Sequence, residues 1–179
     1  RYFAGTEPSP FDPEKRSLLG AEQWKWLGSG LRDSTARFKI LACGMIWNEA
    51  VRPGKRDHWG SYPHERDALF RFLGRERISG VVLIGGDVHR SRVVRHDTRD
   101  TAGYPVIELI TSPVHSGVIG NANAPHPGLL ADFGKPHTFL LIRASAGVAY
   151  RALQIEFVGQ DGQPFHKLEL TESALRMPE

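Results

Sequence analysis

What this 179-residue chain lacks sets the first limits on it. A single cysteine, Cys43, excludes an internal disulfide framework and any zinc site made of several thiolates, without assigning a compartment. No apolar run approaches the roughly 20 residues needed to cross a bilayer, and the amino terminus has no signal-peptide pattern, so no membrane span is expected. Charge of one sign is scarce as well. The 23 basic and 20 acidic residues leave a formal +3, and the basic residues are scattered among acidic ones. Nucleic acid is therefore not an expected partner, since that would need a basic face with stacking aromatics. Internal repeats and low-complexity segments are missing too.

What is present is ordinary globular material: 40% hydrophobic and 24% charged residues, enough for one domain with a core. The chain opens at Arg1, without methionine, on RYFAGTEPSPFDPEKR. Its three prolines between Pro8 and Pro13 predict an irregular loop over 1–17, and the start reads as a cut from something longer. GAEQWKWLGSGL, from Gly20, spaces Trp24, Leu27 and Leu31 as a helix does, with Trp24 and Trp26 on different faces, so at most one of the two is core. RFKILACGMIW suits a buried strand centred on Phe38 to Cys43. PHERDALFRFLGRERI places Pro63 in a first helical turn and Leu69, Phe72 and Leu73 on one face. VVLIGG follows, and the order strand, helix, strand predicts a crossover between neighbouring strands of one sheet. PVIELITS, HTFLLIRAS, GVAYRALQIEFV and PFHKLEL read as further strands, the last two joined through GQDGQ as a hairpin. The fold class is α/β.

The chemistry concentrates in VVLIGGDVHRSRVV, residues 81–94. In an extended backbone side chains alternate faces, so Asp87 and His89 point the same way, into the crevice at the carboxyl end of the strand where such sheets bind ligands. Carboxylate oxygen and neutral imidazole are good donors to zinc, iron or manganese. A surface turn, with the carboxylate on backbone amides and the histidine in water, is the plain alternative for a bare Asp-x-His. Gly85 and Gly86 remove side chains where a ligand or backbone must come close.

Other residues carry two readings each. Asp57, His58, Trp59, Tyr62 and His64 in DHWGSYPHER either rim a ligand pocket or form a loop capping a helix. Glu65 and Arg66 read as a structural hydrogen-bonding pair. His115, with Thr111 and Ser112, either meets a bound anion or belongs to a turn set by Pro113 and Gly117. GNANAPHPG, from Gly120, is a lid or a connection. Cys43 is a thiolate ligand or a small core residue.

In order, LLGAEQWKWL, FKILACGMIW, DHWGSYPHERDALFRFL, VVLIGGDVHRS and ELITSPVHSG resemble the carboxyl-terminal half of the alkaline phosphatase D (PhoD-like) family, over about residues 18–117. That resemblance implies a metallophosphoesterase of the calcineurin-like superfamily. It also implies part of a four-layer α/β/β/α sandwich, ending here in hairpin strands, with residues 1–179 as the carboxyl-terminal portion of one domain. Asp87 and His89 would be metal ligands, in the place where the superfamily usually has a histidine-x-histidine pair. No histidine stands where many members have one, at Cys43–Gly44. Arg1 resembles the arginine after an Asp-Thr pair that members often carry. The implied activity is phosphoester hydrolysis, as phosphatase or phosphodiesterase, with metal-bound hydroxide attacking phosphorus.

The implied cofactors are two or more divalent or trivalent metal ions, with iron, calcium, zinc and manganese all compatible. Arg90 and His115 are the candidate substrate-binding residues, the substrate being a small phosphoester. The family suggests a secreted, periplasmic or cell-surface setting. A dinuclear site needs about six protein donors, and two residues do not supply them. The expectation is therefore an incomplete site, inactive alone, that is completed by the missing amino-terminal half or involves another copy of the chain. The competing expectation is a non-catalytic binding or assembly module: the second half of a split or degenerate phosphoesterase.

Overall fold

A run of five apolar or small residues with no polar break, VVLIG, can be satisfied only between two covering layers, and the fold is organised around it. The computed structural model describes residues 7–120, 125–145, 147 and 151–178. Ten strands are named in chain order: β1 (Pro8–Ser9), β2 (Asp12–Arg16), β3 (Lys39–Ala42), β4 (Val81–Gly85), β5 (Ser91–His96), β6 (Val106–Ile110), β7 (Leu129–Phe133), β8 (Phe139–Ala144), β9 (Ala152–Val158) and β10 (Pro164–Thr171). The α-helices are α1 (Gly20–Asp33), α2 (Pro63–Arg75) and α3 (Arg99–Ala102).

The main sheet has the order β3-β4-β6-β5-β7, with β3, β4 and β6 mutually parallel and β5 and β7 antiparallel to their neighbours. The expected crossover is present, because β3 and β4 pair side by side with α2 between them in sequence. A second sheet, β10-β9-β8, is an antiparallel meander. Its last two strands form the hairpin read from GQDGQ, closed by the Gly159 amide donating to the Gln163 carbonyl at 3.0 Å.

Phe133 of β7 joins the sheets, with its ring 5.3 Å from Phe165 and 4.8 Å from His166. Leu83, Leu109, Ile155 and Phe157 belong to one buried cluster that spans both sheets. On the helical side α1 lies along α2. Arg32 pairs with Glu76 at 3.1 Å, and a Cβ on Gly28 would touch the Phe72 ring. The described residues thus form helix, five-stranded sheet and three-stranded sheet in layers.

Several expectations are corrected. Within residues 1–17, β1 and β2 form a short antiparallel ladder where an irregular loop is expected. It is closed by the Ser17 amide on the Glu7 carbonyl at 2.7 Å, a bond available despite the three prolines because it uses none of their nitrogens. Residues 1–6 lie outside the described residues, as do 121–124 of the GNANAPHPG loop. Helix α2 stops at Arg75, before the predicted end, and Arg77 takes a positive φ of 55°. β3 is an edge strand with alternating half-buried and exposed positions. β4 is covered on both faces, whereas Ile40 of β3 stays 43% exposed. Of the two tryptophans, Trp24 is buried against Phe11 and Trp59, and Trp26 is exposed.

Candidate metal and phosphoester site

Strand β4 delivers Asp87 and His89 to its carboxyl end, but not in the extended geometry that puts them on one face. Asp87 has φ 70° and His89 φ 54°, so the chain turns through the left-handed region at both, a conformation uncommon for residues with a Cβ. Val88 between them is buried in a cluster with Ile46, Val51, Val94 and Ile110. That anchor sends its two neighbours into different surroundings. The glycines before the turn answer to backbone proximity. A Cβ on Gly85 would meet the Met45 carbonyl oxygen and Glu108 Oε1 at 3.0 Å, and one on Gly86 would meet the Gly44 carbonyl oxygen at 3.4 Å.

Asp87 opens into a cleft of about 730 Å³ along the β3 edge, lined by Leu27, Ile40, Cys43, Asp57 and Trp59 among others. Its Oδ2 is 2.6 Å from Lys55 Nζ, which also lies 2.6 Å from Asp57 Oδ1. Burial lowers the Lys55 pKa, but hydrogen bonds to Asp57 and Asp87 outweigh it and hold the ammonium above the ordinary lysine value. Cys43 is a free, half-buried thiol on the same cleft wall. His58 is buried beneath this loop, its Nε2 2.5 Å from the Lys55 carbonyl oxygen. It therefore shapes the turn that presents Lys55 and does not rim the pocket.

His89 faces another way. Its amide donates to Ser112 Oγ at 3.0 Å, and its ring stands edge-on to His115, with centroids 4.7 Å apart. His115 Nδ1 accepts the Gly117 amide at 2.8 Å, the turn role, and the ring contact puts it beside a candidate ligand as well. Thr111 Oγ1 is buried without a hydrogen-bond partner among the described residues, whereas Ser112 is occupied by His89. Arg90 is committed away from the rim: Nε and Nη2 donate to the two oxygens of Asp132 on β7 at 2.7 and 3.0 Å. Asp132 also holds Arg92 Nε at 3.1 Å, and the fully buried Arg92 guanidinium donates to the Val51 carbonyl.

Glu65 and Arg66 are structural, though not as a pair. Glu65 accepts the Leu18 and Leu19 amides, while Arg66 bonds the Trp47 carbonyl and Glu49.

The donor chemistry at Asp87 fits a cation, since the carboxylate already holds an ammonium, and His89 is a free-standing imidazole donor. The set is incomplete: among the described residues no three or more His, Cys, Asp or Glu side chains converge as metal ligands would. Sequence reasoning passed over Lys55, visible only as a basic residue in PGKRDH, and Glu108, whose signal was a carboxylate inside the apolar run VIELI.

The family model for PhoD-like phosphatase matches residues 4–156. Alkaline phosphatase D of Bacillus subtilis (strain 168) is 35% identical over 82 residues, which are 42% of this chain and 14% of that protein. A solved structure described as "Structure of PhoD" superimposes with a TM-score of 0.57 at 20% identity, over 90% of this chain and 38% of that one. At that identity the likeness shows the fold alone. The chain spans well under two thirds of the length of either protein. No helix among the described residues is long and apolar enough to cross a membrane. By the extent of the family match, the chain belongs to the PhoD-like phosphatase family.

Proposed function

We propose that this chain contributes the carboxyl-terminal part of a metal-dependent phosphoester hydrolase, with Asp87 and His89 as its metal ligands. The observation that carries this reading is the Asp87 carboxylate, set in a cleft beyond β4 and holding a cation at 2.6 Å. Bound metal ions would supply positive charge to the phosphoryl oxygens and a water of lowered pKa. The chain's own residues have simpler tasks. Asp87 presents an anionic oxygen, and the Ser112 hydroxyl fixes the His89 backbone so that its ring stays against His115. His115 stands where it meets a substrate held beside His89. Arg90, with two nitrogens on Asp132, is held away from the rim and makes no substrate contact in this reading. The remaining donors, and the fourth layer of the sandwich, belong to chain outside the described residues. On this reading the 179 residues alone turn over little substrate.

One observation favours a second reading, the non-catalytic assembly module: no three metal-ligating side chains converge among the described residues. The two separate on one experiment. Asp87→Asn, His89→Ala and the control His64→Ala are made in the longest reading frame that carries this chain. Bound metal and hydrolysis of bis-p-nitrophenyl phosphate are then measured together. Joint loss of metal and turnover in the first two, with His64→Ala unchanged, supports the hydrolase. Full metal and normal turnover in both Asp87→Asn and His89→Ala removes their assignment, and a metal-free, inactive parent favours the module.

A further inference from the structure

A second pocket, of about 610 Å³, lies between α2, the end of β5 and the segment at His126–Gly128, and none of Asp87, His89, Arg90 or His115 lines it. Its charges do not cancel. Of its three carboxylates, Glu49 and Asp67 pair with Arg66, and Asp97 lies 3.7 Å from Arg99. Two further arginines on its wall, Arg71 and Arg95, have no acidic partner among the described residues and are exposed. Against the wall sits His96, 6% exposed, whose Nε2 is 2.9 Å from Oε2 of the fully buried Glu108. The other Glu108 oxygen accepts the Trp47 amide at 2.8 Å.

A carboxylate can only accept, so the neutral His96 ring carries its hydrogen on Nε2, and Nδ1 is an acceptor. Nδ1 has no partner among the described residues. Two free guanidinium groups and one fixed acceptor on the same pocket match a specific ligand: an oxyanion that also carries a hydroxyl. Inorganic hydrogen phosphate has both. Sulfate has no hydroxyl, and a phosphate monoester loses its own above a pKa of about 6.

We propose that this pocket binds inorganic phosphate, with Arg71 and Arg95 on its charged oxygens and His96 Nδ1, oriented by Glu108, accepting its P–OH. The inference does not rest on Asp87 or His89 holding metal.

Calorimetry at pH 8 on the 179-residue chain with EDTA present compares inorganic phosphate, sulfate and glycerol phosphate, with circular dichroism on every variant. We expect one phosphate per chain, with sulfate and glycerol phosphate each about tenfold weaker, and a further loss of about tenfold in Arg71→Ala and in Arg95→Ala. His96→Gln, which offers an amide donor as well as an acceptor, should lose the preference for phosphate over sulfate. If that variant unfolds, the two surface arginine variants still decide. Asp87→Asn should bind phosphate as the parent chain does. Absent phosphate binding, equal affinity for all three anions, or binding that survives both arginine variants but fails in Asp87→Asn would overturn the proposal. The last outcome would place the phosphate at the cleft of Asp87.

Discussion

Lys55 Nζ stands 2.6 Å from Asp87 Oδ2, so the carboxylate proposed to hold a metal already holds a cation across 32 positions of sequence. An ammonium and a metal ion compete for one oxygen. Removing the lysine should therefore free Asp87 and strengthen cation binding. Lys55→Gln is expected to bind terbium about two- to fivefold more tightly than the parent chain, an effect on the order of one surface ion pair. Trp59 lines the same cleft, and its sensitised terbium luminescence is the measurement. Equal or weaker binding in Lys55→Gln would show that Asp87 does not take the cation.

Asp132 neutralises a guanidinium that has no water around it. Burial pulls the Arg92 pKa below the ordinary arginine value, opposed by the Asp132 carboxylate. Removing that carboxylate takes away the counter-charge that faces the buried Arg92 guanidinium. Asp132→Ala should cost about 3 kcal/mol of unfolding free energy, and Asp132→Ala with Arg92→Met distinctly less. Urea midpoints of the two variants check it, and equal losses would count against a buried-charge origin.

Tyr104 gives the fold an alkaline limit. Burial, only partly offset by the Val81 amide donating to its oxygen, pushes the phenol from 10.0 up to about 12. The folded state therefore keeps the proton that the unfolded chain gives up at lower pH. This contribution is complete below pH 10 and is lost as pH rises through 12, by about 2–3 kcal/mol in all. Tyr104→Phe should be less stable at pH 8, having lost the bond to the Ile78 carbonyl at 3.1 Å. It should also fall less steeply between pH 10 and 12. Parallel slopes for the two proteins would remove Tyr104 as the cause.

Much of the fold was legible because its signals are local. VVLIG reads as a strand covered on both faces, and it is one. Helix α2 follows from Pro63 and the Leu69–Leu73 face, both leucines being fully buried. Strand β5 was not legible: SRVVRH carries Arg92 and His96, polar groups that break an apolar pattern and are buried where Asp132 and Glu108 come to meet them. The site failed similarly. Asp87 and His89 were located, but their common face assumed an extended chain, and the buried Val88 requires a turn. No spacing in the sequence announces that Lys55 returns to Asp87.

The two sheets close over very different distances along the chain. In the β8–β9–β10 meander each strand pairs with its neighbour in sequence, and the β9–β10 turn spans only Gly159–Gln163. In the main sheet, Ala42 and Val81 belong to paired strands with all of α2 between them, and β6 inserts between β4 and β5 although β5 precedes it in the chain. Loop-closure entropy opposes the second kind of contact before any burial rewards it. The meander can therefore assemble early as a local unit, and the parallel strands close later against it. The strand ends that carry Asp87 and His89 thus take shape late in folding, when β4 is finally enclosed.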